Sequence, residues 1–142
     1  MMEHQVTIME AIRRINMKML EDVYEFNREI VKPEKVYSLN EERLKWFKGV
    51  VNEELNELED AQSKNDRVGM LDALIDVTYF ILGRVYELNY TPEQFFKAFE
   101  IVHNCNMKKK KGNKGRGSDI DAIKESTWVG PEEEIAKILK IM

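Results

Sequence analysis

Only one cysteine, Cys105, occurs in 142 residues, so no internal disulfide can form and nothing points to an oxidising compartment. Three prolines and seven glycines are too few for a turn-rich, strand-dominated fold, and 43% hydrophobic residues are too many for a disordered chain. Long apolar runs are missing too: the most apolar window, Met70 to Tyr86, is too short to span a bilayer and carries Asp72 and Asp76. The first residues, MMEHQVTIMEAIRR, lack the basic-then-apolar layout of a secretion signal. The expectation is a soluble, cytoplasmic protein with no membrane partner, folded as one domain over residues 1–142.

A broad positive surface is also absent. Residues 1–100 hold 13 Lys/Arg against 20 Asp/Glu, whereas residues 101–142 hold 9 against 6. An acidic body with a basic tail argues against stable nucleic-acid binding, which needs an extended cationic face. A metal ion with a small anionic ligand suits it better.

What the chain has in quantity is helical periodicity. Ile8, Ile12, Ile15, Met19, Val23 and Phe26 recur at helical spacing over residues 8–31, a kinked or split helix closed by Lys32-Pro33. Ser38 and Asn40 before Glu41-Glu42 predict a capped second helix to about Ala61, with Leu44, Phe47, Val51, Leu55 and Leu58 as its stripe. After the turn SKNDR, residues 68–88 read as a third helix, apolar on nearly every side and therefore expected at the centre. Thr91-Pro92-Glu93 opens a fourth helix to about Met107, burying Phe95, Phe96, Phe99 and Val102. A Lys/Gly-rich loop at 108–118 and a tail at 119–142 follow; the tail ends in a short helix opened by Pro131 and Glu132 to Glu134. The fold class is all-α: a four-helix core bundle with a short C-terminal helix.

The carboxylates carry the chemical signal. Glu53, Glu54 and Glu57 fall on one arc of the second helix, bordering the stripe centred near Val51. A solvated acidic face is the competing reading for this helix alone. The third helix shifts the balance, because Asp72 and Asp76 are the only acids between Met70 and Tyr86, one turn apart among Leu, Ile, Val, Phe and Tyr. Buried carboxylates require a base or a metal, or else become protonated. Arg84 lies eight residues from Asp76, beyond the three or four that would pair them along one helix. Five oxygen donors without Cys or His select a hard ion, Mg²⁺ or Mn²⁺, over zinc.

Glu53-Glu54-x-x-Glu57, a gap of fourteen residues and then DALIDVTYFILG resemble the all-α nucleotide pyrophosphohydrolase superfamily, in its phosphoribosyl-ATP pyrophosphohydrolase-like and MazG-like branch. DVYEF at Asp22 to Phe26 and HNCNMKK at His103 to Lys109 look like two further motifs of that family, and AIKESTWVGP resembles the ending of its phage-like members. One position departs: Ala73 stands where the family usually has glutamate, with Asp72 one residue earlier. The resemblance implies a MazG-like bundle, Mg²⁺ held by Glu53, Glu54, Glu57, Asp76 and Asp72, and a proton acceptor in Glu53 or Glu54. It further implies Asn27, Tyr79, Asn106, Lys109, Lys111 and Lys124 as substrate contacts, and a homodimer or homotetramer.

Several of these residues have plain structural readings. Asn106 can be a helix-end asparagine, Tyr79 a core residue and Trp128 a tail anchor. GNKGRGS at Gly112 to Ser118 lacks the G-K-[ST] ending of a Walker loop and no strand is expected before it, which leaves a basic flap or a solvated linker. The leading function is Mg²⁺-dependent hydrolysis of a nucleoside triphosphate, a deoxynucleotide above all, to monophosphate and pyrophosphate in nucleotide-pool housekeeping. The alternatives are phosphoribosyl-ATP or dUTP as substrate, or a non-catalytic helical oligomerisation or regulatory module.

Overall fold

The helical periodicity is realised along most of the chain. The computed structural model describes residues 2–140, with backbone alone at 2–4, 6, 13, 14 and 16. The elements in order are α1 (Met2–Phe26), a π-helical turn (Asn27–Val31), α2 (Glu41–Ser63), α3 (Arg67–Glu87), α4 (Pro92–Asn106), β1 (Lys110–Gly112), β2 (Asp121–Ile123) and α5 (Glu132–Leu139). The protein is all-α apart from that one hairpin, and among the described residues no helix is long and apolar enough to cross a membrane. The chain divides into two compact units, Met1–Thr91 and Pro92–Met142.

In the first unit α2 and α3 pack on each other most extensively, and α1 packs on α3. Short polar side chains set their starts. Asn40 Oδ1 accepts from the Arg43 N–H at 2.8 Å to begin α2, and Asp66 Oδ1 accepts from the Gly69 N–H at 2.9 Å to begin α3. Asn65, with φ of 54°, makes the sharp turn between them. The core comprises Leu20, Val23 and Tyr24 from α1, Ala61 from α2, and Ala73 and Leu82 from α3. The Tyr24 hydroxyl donates to the Tyr90 carbonyl and its ring meets Tyr86 edge-on at 5.1 Å; burial pushes the phenol up to about 12.

Two burial expectations are corrected. On α1, Ile8, Ile12, Ile15 and Met19 are exposed, and the buried face begins only at Leu20, where α3 lies alongside. On α3, expected at the centre, Val68 is 81% and Leu71 61% exposed, and Leu74, Ile75 and Ile81 are exposed as well. An all-round apolar helix announces that every face will be covered without saying by what. Here the packing of α1 and α2 leaves one side of α3 open.

In the second unit α5 packs on α4, which starts at Pro92 as expected. Trp128 Nε1 donates to the Cys105 carbonyl at 2.7 Å, so the tail is anchored to the end of α4. Phe95 and Phe96 meet edge-on at 6.3 Å and are half-buried, whereas Phe99, expected in the buried face, is exposed. The Lys/Gly loop differs most from expectation. β1 pairs antiparallel with β2, Lys110 opposite Ile123 and Gly112 opposite Asp121, and the segment between them closes the hairpin. Arg116 grips Asp121 through two hydrogen bonds of 2.7 and 2.6 Å, and Asn113 donates to Asp119 at 2.9 Å. The Ile123 side chain occupies the space a Cβ on Gly112 would need, so a larger residue there would have to displace it. A strand therefore does precede GNKGRGS, but β2 rather than a helix follows it, so the Walker reading fails on topology as well as on its missing G-K-[ST] ending.

Candidate metal centre

Capping at Asn40 and Asp66 sets the phase of the α2 and α3 pair, and that phase decides which acids meet. Glu54 and Glu57, one turn apart on α2, and Asp76 on α3 each bring a carboxylate oxygen within 4.8 Å of the other two. An octahedral ion with bonds of about 2 Å spaces its ligands about 3–4 Å apart. Small side-chain rotations would close this set around one ion.

The charges inside the cluster are uncompensated. Burial, then the hydrogen bond and charge of Glu57, then the charges of Asp76 and Glu53, push the Glu54 carboxyl up to about 7. Burial, then Asp72, then Glu57 raise Asp76 above the ordinary aspartate range. Among the described residues no lysine or arginine forms an ion pair with Glu54, Glu57 or Asp76. Glu54 Oε2 is buried with no hydrogen-bond donor. A buried lone-pair donor among repelling carboxylates is what a hard divalent cation relieves, and three oxygen ligands suit Mg²⁺ or Mn²⁺. The residues present fit the ion that the sequence implies.

A cavity of about 480 Å³ opens beside the cluster, with Glu54 and Asp76 among its lining residues. Its walls are aromatic: Phe26 meets Tyr79 edge-on at 5.5 Å, and Trp46 meets Phe80 edge-on at 6.1 Å. Asn27 lines it too. This residue is 3% exposed, opens the π-helical turn and donates from Nδ2 to the Val23 carbonyl at 2.9 Å. Gly83 makes room for it, since a Cβ there would lie 3.1 Å from Asn27 Nδ2.

Arg84, 6% exposed, also lines this cavity. Behind it sits Glu87, 3% exposed, whose two carboxylate oxygens accept from Arg43 Nε and Nη2 at 2.7 and 3.0 Å. Arg84 Nε lies 2.9 Å from Glu87 Oε2 as an ion pair, but neither Nε nor Nη1 of Arg84 makes a hydrogen bond. The Trp46 ring carries the Arg43 guanidinium at 3.7 Å and that of Arg84 at 4.7 Å. Burial lowers the Arg84 pKa, with Glu87 acting to raise it and Arg43 to lower it.

The structure thus brings Glu54, Glu57 and Asp76 together and places Asn27 and Tyr79 on the adjoining cavity. Glu53 and Asp72 are exposed and lie outside the three-residue convergence, close enough to act on Glu54 and Asp76 through their charge. Asn106, Lys109, Lys111 and Lys124 belong to the second unit. There Lys109 and Lys124 sit over Trp128 at 5.1 and 4.8 Å, and Asn106 and Lys111 are exposed. Sequence reasoning missed Trp46, Phe80, Arg43 and Glu87. For Arg84 the signal was present, as the only base between Met70 and Tyr86, but it was weighed solely as a partner for Asp76.

With this geometry in view, comparison with known families shows that the model of the family described as phosphoribosyl-ATP pyrophosphohydrolase matches residues 17–103. That span holds all three converging carboxylates, the aromatic walls and Arg84. No curated protein matches the chain.

Proposed function

From the premise that the chain belongs to the phosphoribosyl-ATP pyrophosphohydrolase family, whose activity is nucleotide pyrophosphohydrolysis, we propose that it cleaves a nucleoside triphosphate, a deoxynucleotide above all, to monophosphate and pyrophosphate with Mg²⁺ or Mn²⁺. The observation that carries this reading is the convergence of Glu54, Glu57 and Asp76, with Glu54 Oε2 buried and unpartnered, beside an aromatic cavity. Glu54, Glu57 and Asp76 hold the ion. When bound, it neutralises phosphate oxygens and lowers the pKa of water. Glu53, exposed next to Glu54, accepts the proton of the attacking water. The water oxygen bonds to the α-phosphorus, the bond from that phosphorus to the bridging oxygen breaks, and pyrophosphate leaves. Asp72 strengthens the negative field at Asp76 and stands ready as a further ligand. Asn27 and the aromatic walls orient the nucleoside and exclude water.

The open side of α3 supports a homo-oligomer. Val68, Leu71, Leu74 and Ile75 form one exposed apolar stripe at helical spacing. A second copy of the chain covers it under this reading. Leu71→Asp is expected to lower the molar mass measured by light scattering, whereas an unchanged mass assigns the stripe elsewhere.

Pyrophosphate release from the deoxynucleoside triphosphates, dUTP and phosphoribosyl-ATP, each with Mg²⁺ and with Mn²⁺, tests the function and sorts the substrates. Release from a deoxynucleoside triphosphate supports the proposal, and release from phosphoribosyl-ATP alone moves the substrate. No release from any of them leaves the non-catalytic helical module.

A further inference from the structure

Three buried side-chain atoms among the described residues lack a hydrogen-bond partner, and all three belong to residues lining the same cavity: Glu54 Oε2, Arg84 Nε and Arg84 Nη1. The carboxylate oxygen is accounted for by a cation. The guanidinium is not. A buried N–H donor left unpaired forfeits on the order of 1–3 kcal/mol, and an apolar side chain would fill the position without that cost.

Neutralising Glu87 does not explain Arg84, because Arg43 already holds that carboxylate through both oxygens. The two guanidiniums share a single carboxylate, which leaves Nη1 of Arg84, a residue that lines the cavity, without an acceptor. Eight residues of helix separate Asp76 from Arg84, a rise of about 12 Å. That rise is comparable to the reach of a nucleotide from its phosphorus to the far edge of its base. Between these ends the walls are the flat rings of Phe26, Trp46, Tyr79 and Phe80, a surface for a planar ring rather than for a second phosphate.

We propose that Arg84 is a specificity-determining residue, its guanidinium donating to a ring carbonyl oxygen of the base so that oxo-bearing bases are selected over their amino counterparts. The inference rests on reading the cavity as a nucleotide site. A guanidinium has donors only, so a base presenting an exocyclic amino group to it sets donor against donor and leaves both unpaired. Stacking of Arg84 on Trp46 fixes the plane in which the donors point.

Inosine and adenosine provide the test, since they share ring and sugar and differ in an oxo against an amino group at the same carbon; uridine and cytidine are the pyrimidine pair. Trp128→Phe removes the indole of the second unit and leaves Trp46 as the sole tryptophan, on the cavity wall. Titration without metal, read by Trp46 emission, is expected to show inosine and uridine bound about 10- to 100-fold more tightly than adenosine and cytidine. Arg84→Lys, which keeps a cation beside Glu87 but loses the planar fork, is expected to erase that preference while the binding of adenosine changes little. Should that variant fail to fold, the ¹⁵N resonances of the Arg84 side chain in the otherwise unaltered protein answer the same question, shifting with inosine and not with adenosine. Equal affinities within each pair, a preference that survives in Arg84→Lys, or Arg84 resonances that respond to inorganic phosphate in place of inosine would overturn the assignment. A preference without pyrophosphate release removes the enzymatic reading and keeps this one; release without a preference does the reverse.

Discussion

Glu54, Asp76, Arg84 and Glu87 in the first unit sit partly or wholly out of water, whereas the ion pairs of the second unit sit largely in it. Lys110 with Glu125, Arg116 with Asp121 and Lys137 with Glu134 are mutual pairs whose basic partners are two-thirds or more exposed. In the first unit Glu54, Glu57 and Asp76 are gathered against each other, and the buried Arg84 keeps a donor unused. Charges that need nothing beyond their neighbours shape a loop; charges left incomplete in a buried place require a ligand. The hairpin charges of the second unit are of the first kind, and the cavity charges of the first unit are of the second.

The largest effect that would break this contrast lies at Glu87. Glu87→Gln leaves two guanidiniums facing an uncharged amide and is expected to cost about 3–5 kcal/mol of stability, measured by urea unfolding. A loss below 1 kcal/mol would mean that the buried pair is no more demanding than a surface one. Next comes the cluster. Asp76→Asn or Glu57→Gln is expected to lower pyrophosphate release by about 100-fold, at least the loss usual for a supporting residue of a metal site. In metal-free protein the same changes should leave helix content intact and raise the melting temperature, because each relieves repulsion. Undiminished turnover would remove these residues from the site.

The pH dependence has a definite sign. Glu54 holds its proton more tightly in the folded chain, where its pKa is pushed up to about 7, than in the unfolded chain at 4.5. Its contribution to metal-free stability is therefore fully present below pH 4.5 and is lost as pH rises through 7. Metal binding must displace that proton, so Mg²⁺ or Mn²⁺ affinity is expected to climb between pH 5 and 8 and the metal-induced rise in melting temperature to grow with it. A metal effect independent of pH would detach Glu54 from the ion. The smallest change is expected in the second unit: Asp121→Asn weakens the grip of Arg116 but should cost at most about 1 kcal/mol, since the Arg116 side of that pair is 67% exposed. A larger loss would show that the hairpin is not an independent surface feature.

Much of the site was legible before any fold was known. Asp76 stood out because an acid in an otherwise apolar helix is costly wherever that helix lies, and Glu54 and Glu57 followed from their shared arc with the apolar stripe of α2. Spacing alone gave five carboxylates. The structure gathers three: Glu54 and Asp76 are drawn inward and the exposed Glu57 lies one turn from Glu54, while Glu53 and Asp72, also exposed, lie outside the convergence. The hairpin was not legible, since KKG and DAI are too short and too polar for a strand signal and are held by Arg116 and Asp121 across a turn.

Periodicity, capping residues and the placement of acids among apolar neighbours determined the all-α class, the starts of α2, α3 and α4, and the identity of the central carboxylates, because these depend on contacts within a few residues. Tertiary structure alone decided which side of α3 stays open, which three acids converge, and that Arg43, Glu87 and Arg84 assemble behind one cavity. Those outcomes depend on the packing of α1, α2 and α3 over separations of dozens of residues, and no local pattern encodes the depth to which a side chain is carried.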